Sequence, residues 1–217
     1  VRLLLITMAS LLFPMGSFAA SPDCSHVLND YEYVGLLANN GNLQAQYQLG
    51  EFYADPEKYK ALFPRGANPI PNDPSSAVTW FRKAAEGGYH KAQLALALYL
   101  LDHSSDATEA AVWLKKAADQ DDHEAQGRLA DLYRKGRGVT HDLSEAYFWA
   151  LLASHAHESR WVELERLIAK SLTPQELHSA QQRADTWQKT GGTDYPYPLL
   201  NIDAILCGVP SWHCALQ

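Results

Sequence analysis

The chain is 217 residues long, enough for one sizeable domain with a real core. An apolar fraction of 47% with six tryptophans excludes a disordered chain. Eighteen Lys and Arg against 25 Asp and Glu give a net charge of −7. That balance repels phosphate backbones and supplies no basic block for anionic lipid, so it argues against nucleic acid as a partner.

Residues 1–20 read as a secretory signal peptide. Arg2 is the only charge before Asp23, Leu3 to Phe13 is an unbroken apolar and small run, and Pro14 and Gly16 end it. Ser17 to Ala20 then offers small residues for cleavage after Ala19 or Ala20. The run falls short of the roughly 20 residues a membrane-crossing helix needs. The expectation is therefore a periplasmic or secreted protein, with no membrane span once the segment is removed. Ser21-Pro22-Asp23 before Cys24 does not look like a lipidation site.

Residues 21–40 predict an N-terminal capping helix. Its Tyr33 and Ala38 stand where Trp80 and Ala85 stand further on, so it reads as the second half of a hairpin. From 41 to 157 the chain repeats three times, at 41–88, 89–121 and 122–157. Each unit opens on a segment with small and apolar residues at helical spacing: Ala45 to Tyr53 (AQYQLGEFY), Ala92 to Ala97 (AQLALA), Ala125 to Tyr133 (AQGRLADLY). Each closes on a Trp-centred segment: Ala77 to Ala85 (AVTWFRKAA), Ala110 to Ala118 (AAVWLKKAA), Ala146 to Ser154 (AYFWALLAS). Trp80, Trp113 and Trp149 lie 33 and 36 residues apart. Gly, Asp or Asn bounds each segment, which predicts a helix–turn–helix unit. Small residues such as Ala45 and Gly50 let two helices approach, and the tryptophans fill the larger gaps between hairpins. One hairpin cannot bury its apolar face alone, so the hairpins stack into a solenoid.

These residues resemble the Sel1-like repeat, a relative of the tetratricopeptide repeat. Its pattern is A-x-x-x-L-G-x-x-Y on the first helix, a G-x-G-V loop followed by D, and A-x-x-W-[FY]-x-K-A-A on the second. The third unit carries the loop as Gly136-Arg137-Gly138-Val139 with Asp142, and the first carries Leu49, Gly50 and Tyr53. The second departs from the pattern, with Leu100 for the tyrosine and no glycine in residues 102–106. The resemblance implies an all-α, right-handed α-solenoid of stacked repeats in an exported bacterial member. It also implies a non-enzymatic, cofactor-free scaffold or adaptor that binds a peptide or protein through its concave surface. Other roles weighed are a structural part of a cell-envelope machine for secretion or motility, a beta-lactam or peptidoglycan hydrolase, and a secreted factor engaging host proteins. The hydrolase reading is weakened because the related cysteine-rich beta-lactamases carry a cysteine pair in every repeat. No repeat has a cysteine here.

Two segments interrupt the repeats. A proline-rich insert at 54–75 carries Tyr59, Phe63 and Arg65, and such inserts fall on one face of a solenoid, often the binding face. Residues 158–189 predict two C-terminal capping helices, from Glu158 to Ser171 and from Thr173 to about Lys189. Trp161 marks the change of stacking, and Thr173, Pro174 and Glu176 form an N-terminal capping signature. The tail, 190–217, is too rich in Gly and Pro for helix, yet it holds Leu199, Ile202, Ile205 and Trp212. We favour a disulfide between Cys207 and Cys214 across a short loop. The rival is a bond from Cys24 to a tail cysteine.

In tetratricopeptide-like solenoids the first helices line the concave groove. Carried over, that face shows Gln44, Tyr47 and Glu51, then Lys91, Leu94 and Leu98, then Glu124, Asp131 and Arg134. Tyr47 and Leu94 are its expected apolar anchors, and Glu51, Asp131 and Arg134 its polar register. The competing reading of these residues is plain solvent exposure. Motifs for chemistry are weak. His155 and His157 fall at a helix end, where His suits the negative pole better than it makes a metal site. Gly136 and Gly138 follow no strand and precede no Lys-Ser/Thr, so they are a turn and not a phosphate loop. His90, His103, His123 and His141 fall near predicted turns, where a solvated ring is the simpler reading.

Overall fold

A computed structural model describes residues 30–59, 72–103 and 107–187. The signal segment, Cys24, Phe63, Arg65, Cys207 and Cys214 lie outside the described residues. Among the described residues there are ten helices and no strand. In chain order they are α1 (Asp30–Asn39), α2 (Leu43–Ala54), α3 (Pro56–Tyr59), α4 (Pro74–Glu86), α5 (His90–His103), α6 (Thr108–Ala118), α7 (His123–Lys135), α8 (Leu143–Ser154), α9 (Ser159–Ala169) and α10 (Pro174–Thr186). Helix α3 is a single turn inside the insert. Each of the longer helices packs chiefly on its chain neighbours, α2 on α4, α4 on α5 and so on to α8, while α10 returns to lie on α8. This is the nearest-neighbour stacking of a solenoid.

Side chains at the helix starts explain where five of the ten helices begin. Asn42, Asp73, Asp122 and Asp142 each accept a hydrogen bond from a backbone N–H of the first turn of α2, α4, α7 and α8. Thr173 and Glu176 form a reciprocal capping box at α10, with Pro174 in the first turn. Helix α9 runs Ser159–Ala169 and α10 stops at Thr186, both slightly shorter than the periodicity predicts.

Alanines and glycines bring the helices together. Ala45, Ala77, Ala84, Ala92, Ala97, Ala110, Ala117, Ala125, Ala130 and Ala146 are fully buried. A methyl at Gly50 would overlap the Phe81 ring, and one at Gly127 would overlap the ring of Trp161. The bulky Trp161 is thus accommodated by the missing side chain of α7. The tryptophans separate by depth. Trp113 and Trp149 are buried between hairpins, whereas Trp80 is half-buried. Lys83 and Lys116 each lie over the preceding Trp80 and Trp113 at 4.0 and 3.9 Å from the ring centroid. This gives the Trp-x-x-Lys spacing of the repeat a cation–π rationale.

One further device recurs. Gln46, Gln93 and Gln126 are buried, and each side-chain amide donates to a carbonyl at the end of the preceding helix, that of Ala38, Ala85 and Ala118 at 3.0, 3.1 and 3.2 Å. A helix leaves its last carbonyls without intrahelical partners, and here the next hairpin supplies a donor.

Candidate functional site: an open groove along the first helices

Helix α5 carries a stripe at helical spacing: Lys91, Leu94, Ala95, Leu98, Tyr99 and Asp102. With Tyr47, Glu51 and Ala54 of α2, Phe81 of α4, and Asp122 and Glu124 at the start of α7, this stripe lines an open groove of about 660 Å³. The floor is apolar, formed by Phe81, Leu94, Ala95 and Leu98. Tyr47 stands edge-on to Tyr89 at 5.6 Å and tilted against Phe81 at 5.9 Å, so its ring is fixed from two sides. Burial, then the nearby Glu51 carboxylate and its hydrogen bond, push the Tyr47 hydroxyl well above the usual phenol range. It stays a neutral donor at any physiological pH.

The rim is charged, and most of its charges are already engaged. Glu51 lies 3.7 Å from Lys58. Asp122 caps α7 and sits 2.9 Å from the His90 ring. Glu124 receives Arg128 at 2.8 Å and is also gripped by Arg160. Lys91 and Asp102 are exposed and have no ion-pair partner among the described residues. At the Asp102 end, the His103 ring stacks on Tyr99 with centroids 4.0 Å apart.

Six of the nine residues singled out on the first helices, Tyr47, Glu51, Lys91, Leu94, Leu98 and Glu124, lie together in this groove. Gln44, Asp131 and Arg134 are not among its lining residues. Gln44 is half-buried. Asp131 and Arg134 pair with each other at 2.6 Å, and Lys135 adds a second cation. Burial raises the Asp131 carboxyl pKa, but the hydrogen bonds from Lys135 and Arg134 outweigh it, and the net direction is down. Tyr59 of the insert packs against Phe52 at 5.0 Å, outside the groove lining.

Sequence reasoning missed Ala54, Phe81, Ala95, Tyr99, Asp102, His103 and Asp122 as groove members. The α5 residues among them were legible as the continuation of the Lys91–Leu94–Leu98 spacing. Phe81 was not, because it reaches the groove floor from a second helix. Two of the four turn histidines are less solvated than their positions imply: His90 holds Asp122, and His123 lies 3.0 Å from Gln126, whereas His103 and His141 are exposed. Gly136 and Gly138 are turn residues. Gly136 ends α7 in the left-handed conformation, and Gly138 lies against the Ala107 backbone. Among the described residues no group of three or more His, Cys, Asp and Glu is placed to hold a metal.

The Sel1 repeat pattern matches residues 43–58, 65–89, 90–122 and 123–156. The first two stretches flank residues 59–64 and together cover α2, most of α3 and α4. Among solved structures, a Sel1 repeat protein from Oxalobacter formigenes is 26% identical, over 63% of this chain and 97% of that one, with a TM-score of 0.53. A protective antigen present in uropathogenic Escherichia coli strains and displaying an SLR fold is 23% identical, over 72% of this chain and 40% of that one, with a TM-score of 0.40. No curated protein matches the chain. Sel1 repeats are in general non-catalytic scaffolds for protein–protein interaction. By the four matched repeats and the stacked hairpins they correspond to, the chain belongs to the Sel1 repeat family.

Proposed function

We propose that this protein is an exported adaptor that holds a peptide or a protein segment in the groove between α2, α5 and α7. The observation that carries the reading is that Tyr47, Glu51, Lys91, Leu94, Leu98 and Glu124 converge on one open cleft with an apolar floor and a charged rim. Apolar floors with a few placed polar groups are how such sites bind and orient a ligand. Export is supported by the basic start, short apolar run and small exit residues of the first twenty positions. Among the described residues no helix is long and apolar enough to cross a membrane.

Photo-crosslinking in living cells tests the site. A photoreactive residue at Leu94 or Leu98 is expected to trap a discrete partner, and one at the exposed Val112, on α6, is not. Equal adducts from all three positions overturn the groove assignment. Intact-mass analysis of the protein from the cell envelope or medium tests export: a chain shortened at Ala19 or Ala20 is expected. A full-length chain confined to the cytoplasm overturns that part.

A further inference from the structure

The two rim charges without partners among the described residues sit at opposite ends of one helix. Lys91 is in the first turn of α5 and Asp102 in the last. The eleven-residue separation corresponds to about 16 Å along the helix axis. Between them the groove face shows Leu94, Ala95, Leu98 and Tyr99.

These two charges are placed against the electrostatics of their own helix. A helix N-terminus carries partial positive charge and its C-terminus partial negative charge, so acids are favoured at the start and bases at the end. Helices α6, α7 and α10 follow that rule, with Glu109, Glu124 and Glu176 in the first turn and Lys115, Arg134 and Arg183 in the last. Helix α5 has no acid in its first turn and puts Lys91 there, with Asp102 near its other end. Side-chain charge and backbone dipole therefore add at each end of the groove instead of cancelling. The neighbouring charges are largely paired off. Arg128 and Arg160 are held by Glu124 and Glu158, Asp122 lies against the His90 ring, and Glu51 of α2 faces Lys58, so among the described residues Lys91 and Asp102 are the charges of the lining left for a ligand. Helix α9 also opens on a base, Arg160, but that one is held by Glu124 and Glu158, whereas Lys91 has no ion-pair partner among the described residues.

We infer that the groove is electrically polar along its length and takes a short extended peptide that is acidic at the Lys91 end, basic at the Asp102 end and apolar between. At about 3.3 Å per residue, the distance between the two charges spans about five extended residues. The peptide's acid meets Lys91, its central side chains enter the Phe81–Leu94–Leu98 floor, and its base meets Asp102 beside the Tyr99 ring. This inference rests on the groove reading above and adds the chemistry of the occupant.

The test uses three pools of capped peptides with randomised apolar centres. Their ends carry Glu and Arg, two Glu, or two Arg, and binding to the full chain is measured by fluorescence anisotropy. The mixed pool is expected to bind about three- to tenfold tighter than either uniform pool, the range of one or two exposed ion pairs. Lys91→Glu redirects the preference to the two-Arg pool, and Asp102→Lys redirects it to the two-Glu pool. Circular dichroism confirms that each variant is folded, and Leu94→Asp serves as the groove-blocked control. If the pools bind and Leu94→Asp abolishes binding, but neither reversal redirects the preference, the polarity is wrong and the groove reading stands. If no pool binds better to the wild-type chain than to Leu94→Asp, both fail.

Discussion

At Gly138 the backbone is left-handed, with φ of 73°, and a methyl there would overlap the Ala107 backbone. Both constraints act against any side chain, so Gly138→Ala is expected to cost roughly 3 kcal/mol, read as a lower midpoint in chemical unfolding. Asp121 and His157 also hold positive φ, 69° and 56°, at the turns that Gly41 and Gly88 occupy in earlier hairpins. Asp121 offsets its strain by accepting from Gln126. His157 is exposed, and among the described residues its side chain makes no hydrogen bond of that kind. His157→Gly is therefore expected to stabilise the fold by about 1 kcal/mol, with a raised Tm as the readout. The buried glutamines give a graded pair. Gln126→Met removes one of the two donors to the Ala118 carbonyl, the other being the Asp121 N–H, and takes away the amide partner of the Asp121 and His123 side chains, at about 1–3 kcal/mol. Gln46 meets Ala38 but leaves its own Oε1 without a partner, so Gln46→Met should cost less.

At the level of the helix, the caps and the dipole decide the outcome. Thr173→Ala removes the hydroxyl that accepts the Glu176 N–H and should cost about 1 kcal/mol. At α4, hydrogen bonds from the Ser75 and Ser76 side chains, then the Ser76 backbone, draw the Asp73 carboxyl from 3.8 down to about 2. A folded-state value below the unfolded one means that this contribution is present above 3.8 and lost as pH falls through about 2. The stability gap between wild type and Asp73→Asn should therefore close over that interval in acid titrations. Helix α5 supplies the opposite case. The paired change Lys91→Glu/Asp102→Lys puts each charge where the dipole favours it, so Tm should rise by the equivalent of about 0.5 kcal/mol. At this scale the sequence was most legible. The Ala–Leu–Gly and Trp spacings locate α2 and α4 to α8, and Thr173-Pro174 marks the start of α10. The turn α3 was not foreseen, because Pro56 and its neighbours read as an insert and four residues give no periodicity.

Over the whole molecule, stability passes along the stack. Every residue from Ala146 to Ala153 of α8 is buried, a pattern with no polar face, because α7, α9 and α10 all cover it. A chain ended at residue 157 keeps α7 but lays bare the side chains of α8 that α9 and α10 cover. It is expected to aggregate or self-associate, seen as a shift to higher mass on size exclusion with light scattering, whereas the full chain should not show it. The solenoid was legible because its contacts are local and periodic. The groove was legible only in part, since Leu94 and Leu98 announce themselves by spacing along one helix. Asp131 and Arg134 satisfied the same spacing and were placed in the groove by analogy, yet their charges are spent on each other. No spacing argument distinguishes an anion that awaits a ligand from one already paired by its neighbour on the same turn.

The buried glutamine that joins each hairpin to the helix before it also bears on how such a chain lengthens. Gln93 and Gln126 make the same bond to the same alanine carbonyl eight residues back. A copy of residues 90–122 inserted after itself would therefore meet a matching acceptor behind it and offer a matching one ahead. Duplication in whole units leaves every junction chemically intact, whereas a gain or loss of a few residues within a unit separates donor from acceptor. The ruler of this protein is thus marked in hairpins, and its reach towards a longer partner is open to change by whole steps.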